Sequence, residues 1–240
     1  MKIKGQPKRF KSFDETEIYY EVYGTGFPII MLHGNHMNGH YFKGQLADFM
    51  QHFQVILMDS RGQGKSKNNQ DSLTYEDMAR DIFALMKNEQ IEQTHLLGYS
   101  DGANLAVVFA SMFPDNVGKI VMNSGNLTAS GVRLIPRTGI YFEELGTWLW
   151  GKFWRNMASF EVVRLMLKPI PLTEEEFSKV LTPAQILVGS LDFIKKTESD
   201  KLAELLPNGR LEEVRWMTHF FAKTNPKKFN QTALDFLLTN

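Results

Sequence analysis

The chain of 240 residues contains no cysteine. That excludes disulfides, a thiolate nucleophile and cysteine-held metals. A surplus of either charge is missing too. Lys plus Arg and Asp plus Glu stand at 27 each, so the balance points neither to nucleic acid nor to an acidic membrane surface. No apolar run approaches the roughly 18 residues of a membrane span. The first stretch, MKIKGQPKRFKSFDETEIYY, lacks the apolar centre of a signal peptide. There is no internal repeat and no low-complexity tract. The expectation is a cytoplasmic protein that binds a small molecule and neither nucleic acid nor membrane.

What is present is ordinary for a soluble globular protein, with 43% hydrophobic and 22% charged residues. The length suits one large α/β domain, or a core domain carrying an insertion. Residues 9–23 read as two strands around the polar turn Asp-Glu-Thr. Short apolar runs bounded by Gly, Pro or polar residues follow at 29–32, 55–59, 94–100, 119–125 and 185–192. Such runs suit strands buried on both faces. Between them lie helical patterns. Residues 74–89 open with a Thr74-x-x-Asp77 cap and repeat Met78, Ile82 and Leu85 at helical spacing. Residues 102–113 are apolar and stop before Pro114, residues 197–206 are amphipathic, and a last helix starts at Pro226. Strands alternating with helices predict a mostly parallel central sheet flanked by helices on both faces.

Residues 126–181 break that alternation. They carry Tyr141, Phe142, Trp148, Trp150, Phe153, Trp154 and Phe160, and 147–167 reads as helical and apolar on more than one side. For any one aromatic, helix packing is the plain reading. Together they predict an inserted helical cap, because so much apolar surface must lie against something. The expected division is a discontinuous core, 1–125 plus 182–240, with a cap at 126–181.

The chemistry starts at Leu96-Leu97-Gly98-Tyr99-Ser100-Asp101-Gly102. Gly-x-Ser-x-Gly after a buried strand and before a helix is the pattern of a nucleophile elbow. A tight strand-to-helix turn needs small residues where the chain passes close to itself. It lifts the hydroxyl at the strand's carboxyl end and brings backbone N–H groups to a helix N-terminus, where an oxyanion is favoured. A serine hydroxyl is a poor nucleophile without a general base, and the base needs an orienting carboxylate. In this arrangement the chain order is Ser, acid, His. Of six histidines only His219 lies beyond Ser100, in Trp-Met-Thr-His-Phe-Phe after the strand-like 211–217. The strand at 119–125 ends without a carboxylate, while that at 185–192 ends in Asp192. Glu198 and Asp200 remain alternative acids if Asp192 caps the next helix.

Other motifs carry less. His33 reads as structural. His36 and His40 are four apart, but no third metal ligand of matching placement follows. Asp-Ser-Arg-Gly-Gln-Gly-Lys-Ser (59–66) lacks the spacing of a phosphate loop and reads as a structural turn beside the site. No metal and no cofactor is expected.

At these residues the chain resembles the α/β-hydrolase family, over nearly everything outside 126–181. The motifs that carry the resemblance are YYEVYGTGFPIIMLHGN, DSRGQGKS, GYSDG, ILVGSLD and THFF. The resemblance is closest to small single-chain bacterial members with a short helical lid. It implies Ser100 as nucleophile, Asp192 as acid and His219 as base. It also implies that the backbone N–H groups of Asn35 and Asp101 form the oxyanion hole. Two features depart from the commoner pattern. Asp101 follows the serine where a neutral residue is frequent, so its carboxylate is expected to turn away toward the helix N-terminus. No Gly precedes His219.

The expected activity is acyl transfer to water, with a small or medium apolar ester as substrate, a guess resting on the aromatic content. Three alternatives stay open. One is another bond on the same triad, a small-peptide amide or a carbon–carbon bond. A second is a cofactor-free lyase or peroxidase-like reaction, and a third is a non-catalytic ligand sensor.

Overall fold

The computed structural model describes residues 4–154 and 157–239. Of the stretches read from sequence, Met1 to Ile3 of the basic N-terminus and Arg155 and Asn156 of the helical stretch 147–167 lie outside the described residues. The strands are β1 (Gln6–Lys11), β2 (Glu17–Tyr23), β3 (Phe27–Leu32), β4 (Phe53–Met58), β5 (Thr94–Tyr99), β6 (Val117–Asn123), β7 (Ala184–Leu191) and β8 (Gly209–Thr218). The α-helices are α1 (Leu46–Phe49), α2 (Tyr75–Asn88), α3 (Asp101–Met112), α4 (Leu134–Trp154), α5 (Ala158–Leu165), α6 (Glu174–Ser178), α7 (Lys196–Leu205), α8 (Phe221–Thr224) and α9 (Pro226–Leu238).

The strands form one sheet in the order β1-β2-β4-β3-β5-β6-β7-β8. The pairs β1–β2 and β2–β4 are antiparallel and the remaining pairs parallel. The apolar runs explain this placement. In β3, Ile30 and Leu32 join the core under α2, α3 and α7, while Ile29 and Met31 join the core under α1 and α9. Ile56 and Met58 against Val55 and Leu57 repeat the division in β4. A strand with period two and both faces covered must be apolar throughout. Each such side chain contributes roughly 1.5–3 kcal/mol on burial.

Helix α2 starts where the cap pattern placed it. The Thr74 hydroxyl accepts from the Asp77 N–H at 3.1 Å, and Met78, Ile82 and Leu85 are buried. The insertion between β6 and β7 is helical, comprising α4, α5 and α6. Its aromatics do not lie as expected. Tyr141, Phe142, Trp148, Trp150, Phe153 and Trp154 of α4 are all solvent-exposed. The reason is the helix's rotation: Gly151 is buried and Pro136, Ile140 and Thr147 are half-buried, so this side of α4 faces the body. Among the described residues no helix is long and apolar enough to cross a membrane.

Because the six adjacent strands β4, β3, β5, β6, β7 and β8 run in the same sense, the loops after them emerge at one edge. In open α/β sheets that carboxyl edge is where ligands bind.

Candidate active site

The turn from β5 into α3 is built on contact distances. A Cβ on Gly98 would sit 2.2 Å from the Gly102 carbonyl oxygen, and one on Gly102 would sit 2.0 Å from that of Leu32. Only glycine fits either position. Between them Ser100 adopts φ +54° and ψ −120°, a region that costs of order 1–3 kcal/mol for a residue with a side chain. The turn is held by the Ser100 N–H donating to the Asn123 carbonyl at 2.8 Å. Asp101 is the first residue of α3, so its N–H has no partner within the helix.

Asp192 and His219 meet across the ends of β7 and β8. The imidazole Nδ1 lies 2.7 Å from Asp192 Oδ1. An ionised carboxylate only accepts, so Nδ1–H donates to Asp192. Asp192 Oδ1 also accepts from the Ile194 N–H at 2.9 Å, and Oδ2 from the Ser124 hydroxyl at 2.7 Å. Burial pushes the Asp192 carboxyl up; the His219 bond and charge, the Ile194 amide and the Ser124 hydroxyl outweigh it and hold the group below its ordinary value. The imidazole is packed against Phe193, nearly parallel at 5.2 Å between centroids, with Tyr99 and Phe220 on other sides.

A depressed folded-state pKa has a sign. Its contribution to stability is complete above the unfolded value of about 3.9 and fades as pH falls through the folded value. The melting temperatures of the parent chain and Asp192→Asn should therefore differ most near neutrality and converge in acid. A gap unchanged from pH 6 to the lowest pH at which both fold would contradict this assignment.

The alternative acids are engaged elsewhere. Glu198 accepts from the N–H groups of Leu127 and Thr128 at 2.9 and 3.1 Å, holding the loop after β6. Asp200 pairs with Lys196 on the surface of α7.

The strand that leads to His219 is irregular. The β7–β8 register shifts between Gly189 and Leu191, and Trp216 sits at φ +62° within the bulge. A bulky residue in that region is an outlier, and bulges of this kind re-aim side chains beside sites.

Asp101 turns away from the elbow, but to side chains. It accepts from Asn35 Nδ2 at 2.7 Å and the Tyr75 hydroxyl at 3.4 Å. Burial raises its carboxyl pKa against those donors. The same Asn35 Nδ2 donates to the Val162 carbonyl of α5 at 2.7 Å. The amide nitrogen of Asn35 is thus spent on the protein, joining the loop after β3, the start of α3 and the insertion, while its Oδ1 is buried without a partner among the described residues.

Ser100, His219, Asn35 and Asp101 all line one cavity of about 450 Å³. Its walls are mostly apolar, from Val132, Ile140, Met166, Phe193, Ile194 and Phe220. At its rim His36 Nε2 lies 3.3 Å from Glu143 of α4, while His40 turns instead to Glu21 at 3.1 Å. The two histidines therefore do not converge. His33 is fully enclosed, with Nδ1 donating to the Gly34 carbonyl at 2.8 Å and Nε2 accepting from the Ser60 N–H at 3.0 Å. Burial lowers its pKa, which suits a neutral, structural imidazole. In the turn at 59–66, Asp59 accepts from the N–H groups of Gly39 and Lys65, each at 2.8 Å.

Sequence reasoning missed Ser124, which sits at φ +59° and donates to Asp192. The signal was the polar Asn123-Ser124-Gly125 at the end of β6, which had been read only for its lack of a carboxylate.

A family model described as the alpha/beta hydrolase fold matches residues 28–156. The chain is 25% identical over 252 residues to a protein of Azorhizobium caulinodans named "Putative carbamate hydrolase RutD", covering 92% of this chain and 95% of that one. Among solved structures it resembles the carboxylesterase CesB of Bacillus subtilis, with TM-score 0.81 and 18% identity over 98% of this chain and 92% of the other. It also resembles the meta-cleavage product hydrolase CumD of Pseudomonas fluorescens, with TM-score 0.77 and 17% identity over 96% and 97%. With the sheet order, the elbow and the family match in agreement, the chain belongs to the α/β-hydrolase family.

Proposed function

We propose that the chain is a serine hydrolase acting by acyl transfer, with small to medium apolar esters as substrates. The observation that carries this reading is the Asp192–His219 bond of 2.7 Å, whose imidazole lines the same cavity as the strained Ser100. In the proposed cycle His219 Nε2 takes the proton of the Ser100 hydroxyl as its oxygen attacks the carbonyl carbon. The tetrahedral oxyanion accepts from the N–H groups of Asn35 and Asp101. Collapse breaks the bond to the leaving oxygen, which receives the proton from His219. Water, deprotonated by the same imidazole, then releases the acid and restores Ser100. Asp192 keeps Nδ1 protonated throughout and stabilises the imidazolium. Residues 126–181 act in this scheme as a cap, with Val132, Ile140 and Met166 as the apolar wall against the acyl chain.

A fluorophosphonate probe tests the class. The chain should label rapidly, and Ser100→Ala should abolish labelling. A folded chain that does not label, or labels unchanged in Ser100→Ala, would overturn the reading. The acid is tested separately: Asp192→Asn should lower kcat by roughly 10⁴-fold, as expected when a triad imidazole loses its orienting carboxylate, and Asp200→Asn should leave it near the parent value.

A second reading is favoured by the relative from Azorhizobium and its printed name. A carbamate presents the same carbonyl, and attack by Ser100 would give a carbamoyl-enzyme. The apolar walls favour the ester. A panel of esters of graded acyl length, a simple carbamate, a peptide amide and a diketone acid decides by kcat/KM. A carbamate preferred over every ester would replace the first reading with the second.

A further inference from the structure

We propose that the outward face of α4 is the contact surface of a homodimer. This helix inverts the usual pattern of a surface helix, in which the apolar stripe faces inward. Its body-facing side carries Pro136, Thr147 and Gly151, whereas Ile135 is 85% exposed, Phe142 76%, Phe153 77% and Trp150 64%. On one side of α4, Ile135, Tyr141, Phe142, Leu145, Leu149 and Phe153 together present on the order of 700 Å². A standard interface buries about 800 Å² per partner, and the largest apolar patch of an ordinary monomer is about 300–600 Å². The face is therefore large enough for a stable pair and too large for a lone chain.

Spacing identifies the form of the contact. Leu134, Tyr141 and Trp148 are seven residues apart, as are Ile135, Phe142 and Leu149. A seven-residue repeat keeps a seam facing a partner helix. Gly146 lies beside these rows, and a Cβ built on it meets nothing within 4 Å, whereas Gly139 lines the cavity. Mid-helix glycine costs about 1 kcal/mol relative to alanine, and nothing in the lone chain offsets that. A second helix backbone approaching closely would.

Charge selects a second copy over a lipid surface. Helix α4 carries Arg137 and Lys152 against Glu143 and Glu144, so it lacks the basic character that draws an interfacial helix to anionic lipid. A nearly uncharged apolar face meets its own copy without repulsion, as a two-fold contact requires.

Sedimentation velocity from 1 to 100 µM tests the proposal. The parent chain should run at twice the chain mass. The double variant Phe142→Glu/Leu149→Glu should run as a folded monomer with unchanged far-UV circular dichroism. Gly146→Leu, which favours the helix of the protomer but fills the seam, should raise the dimer dissociation constant at least 10-fold. In this cysteine-free chain, Leu145→Cys should form an oxidation-induced dimer faster than a cysteine at exposed Ser178. A parent chain that stays monomeric at 100 µM overturns the proposal, as does a dimer that survives both sets of variants. So does a monomer that floats with phosphatidylcholine or phosphatidylserine vesicles, which would assign the face to lipid.

Discussion

Ser100→Ala should lower ester turnover by roughly 10⁴–10⁶-fold, and His219→Ala by a similar factor. Combining them should cost little more, because in the proposed cycle the two act as one unit, nucleophile and base, and the loss of either removes the covalent route. What remains is the contribution of substrate binding and the oxyanion donors. The measurement is kcat on a p-nitrophenyl ester, with the melting temperature recorded alongside. Alanine keeps a Cβ and so retains the strain of φ +54° at this position, which predicts an unchanged melting temperature. Ser100→Gly removes the same hydroxyl and relieves that strain, so it should be equally inactive yet melt a few degrees higher. If His219→Ala keeps most of its activity, the base lies elsewhere. If Ser100→Gly melts lower than Ser100→Ala, the turn is not strained and the account of Gly98 and Gly102 loses its support.

The parts of this molecule legible in the sequence were those whose cause is local or nearly so. β3 and β4 announce themselves because a strand covered on both faces must be apolar at consecutive positions, and turns bound it. Thr74 and Asp77 mark the start of α2 because a cap is a contact across three residues. The elbow was legible because its glycines answer to backbone clashes within a few residues of Ser100. Naming His219 as the candidate base needed no geometry, because it is the one histidine after the serine. The rest depends on how elements are turned against each other. Composition predicted that the aromatics of α4 would be covered, but which side of a helix meets the body is decided by the body. The bulge that carries Trp216 is set by the pairing of β7 with β8, and no residue type signals positive φ in a tryptophan. Ser124 reaches Asp192 across 68 residues of chain, a contact that only the sheet order creates.

Arg61 was likewise passed over inside a stretch read as a turn, and it supports the second large effect. Its side chain is 0% exposed. Nε and Nη2 each lie 2.6 Å from Asp81 of α2, Nη1 reaches Asp14 at 3.1 Å, and the ring of Phe13 lies 5.0 Å from the guanidinium carbon. Burial pulls the guanidinium toward neutrality, and the two carboxylates more than offset it. Removing one partner leaves the other charge buried and uncompensated, so Asp81→Leu and Arg61→Met should each cost about 3–5 kcal/mol. For a chain of this size that is a fall of roughly 10 °C in melting temperature. Replacing both at once, Arg61→Met with Asp81→Leu, removes the desolvation cost along with the pair, so it should recover most of the loss. Asp14 keeps the Thr16 N–H and the Gln70 amide as donors when the guanidinium is gone. Urea unfolding of the four proteins closes the cycle. The expected interaction energy is large and favourable, because the double variant is far less destabilised than the sum of the singles. Single variants costing under about 1 kcal/mol would mean that water reaches the pair. A double variant as unstable as the sum would mean that Arg61 and Asp81 stabilise the fold through other contacts. None of Arg61, Asp81 and Asp14 lines the cavity that holds Ser100 and His219. The single variants should therefore lose activity only at temperatures where they unfold.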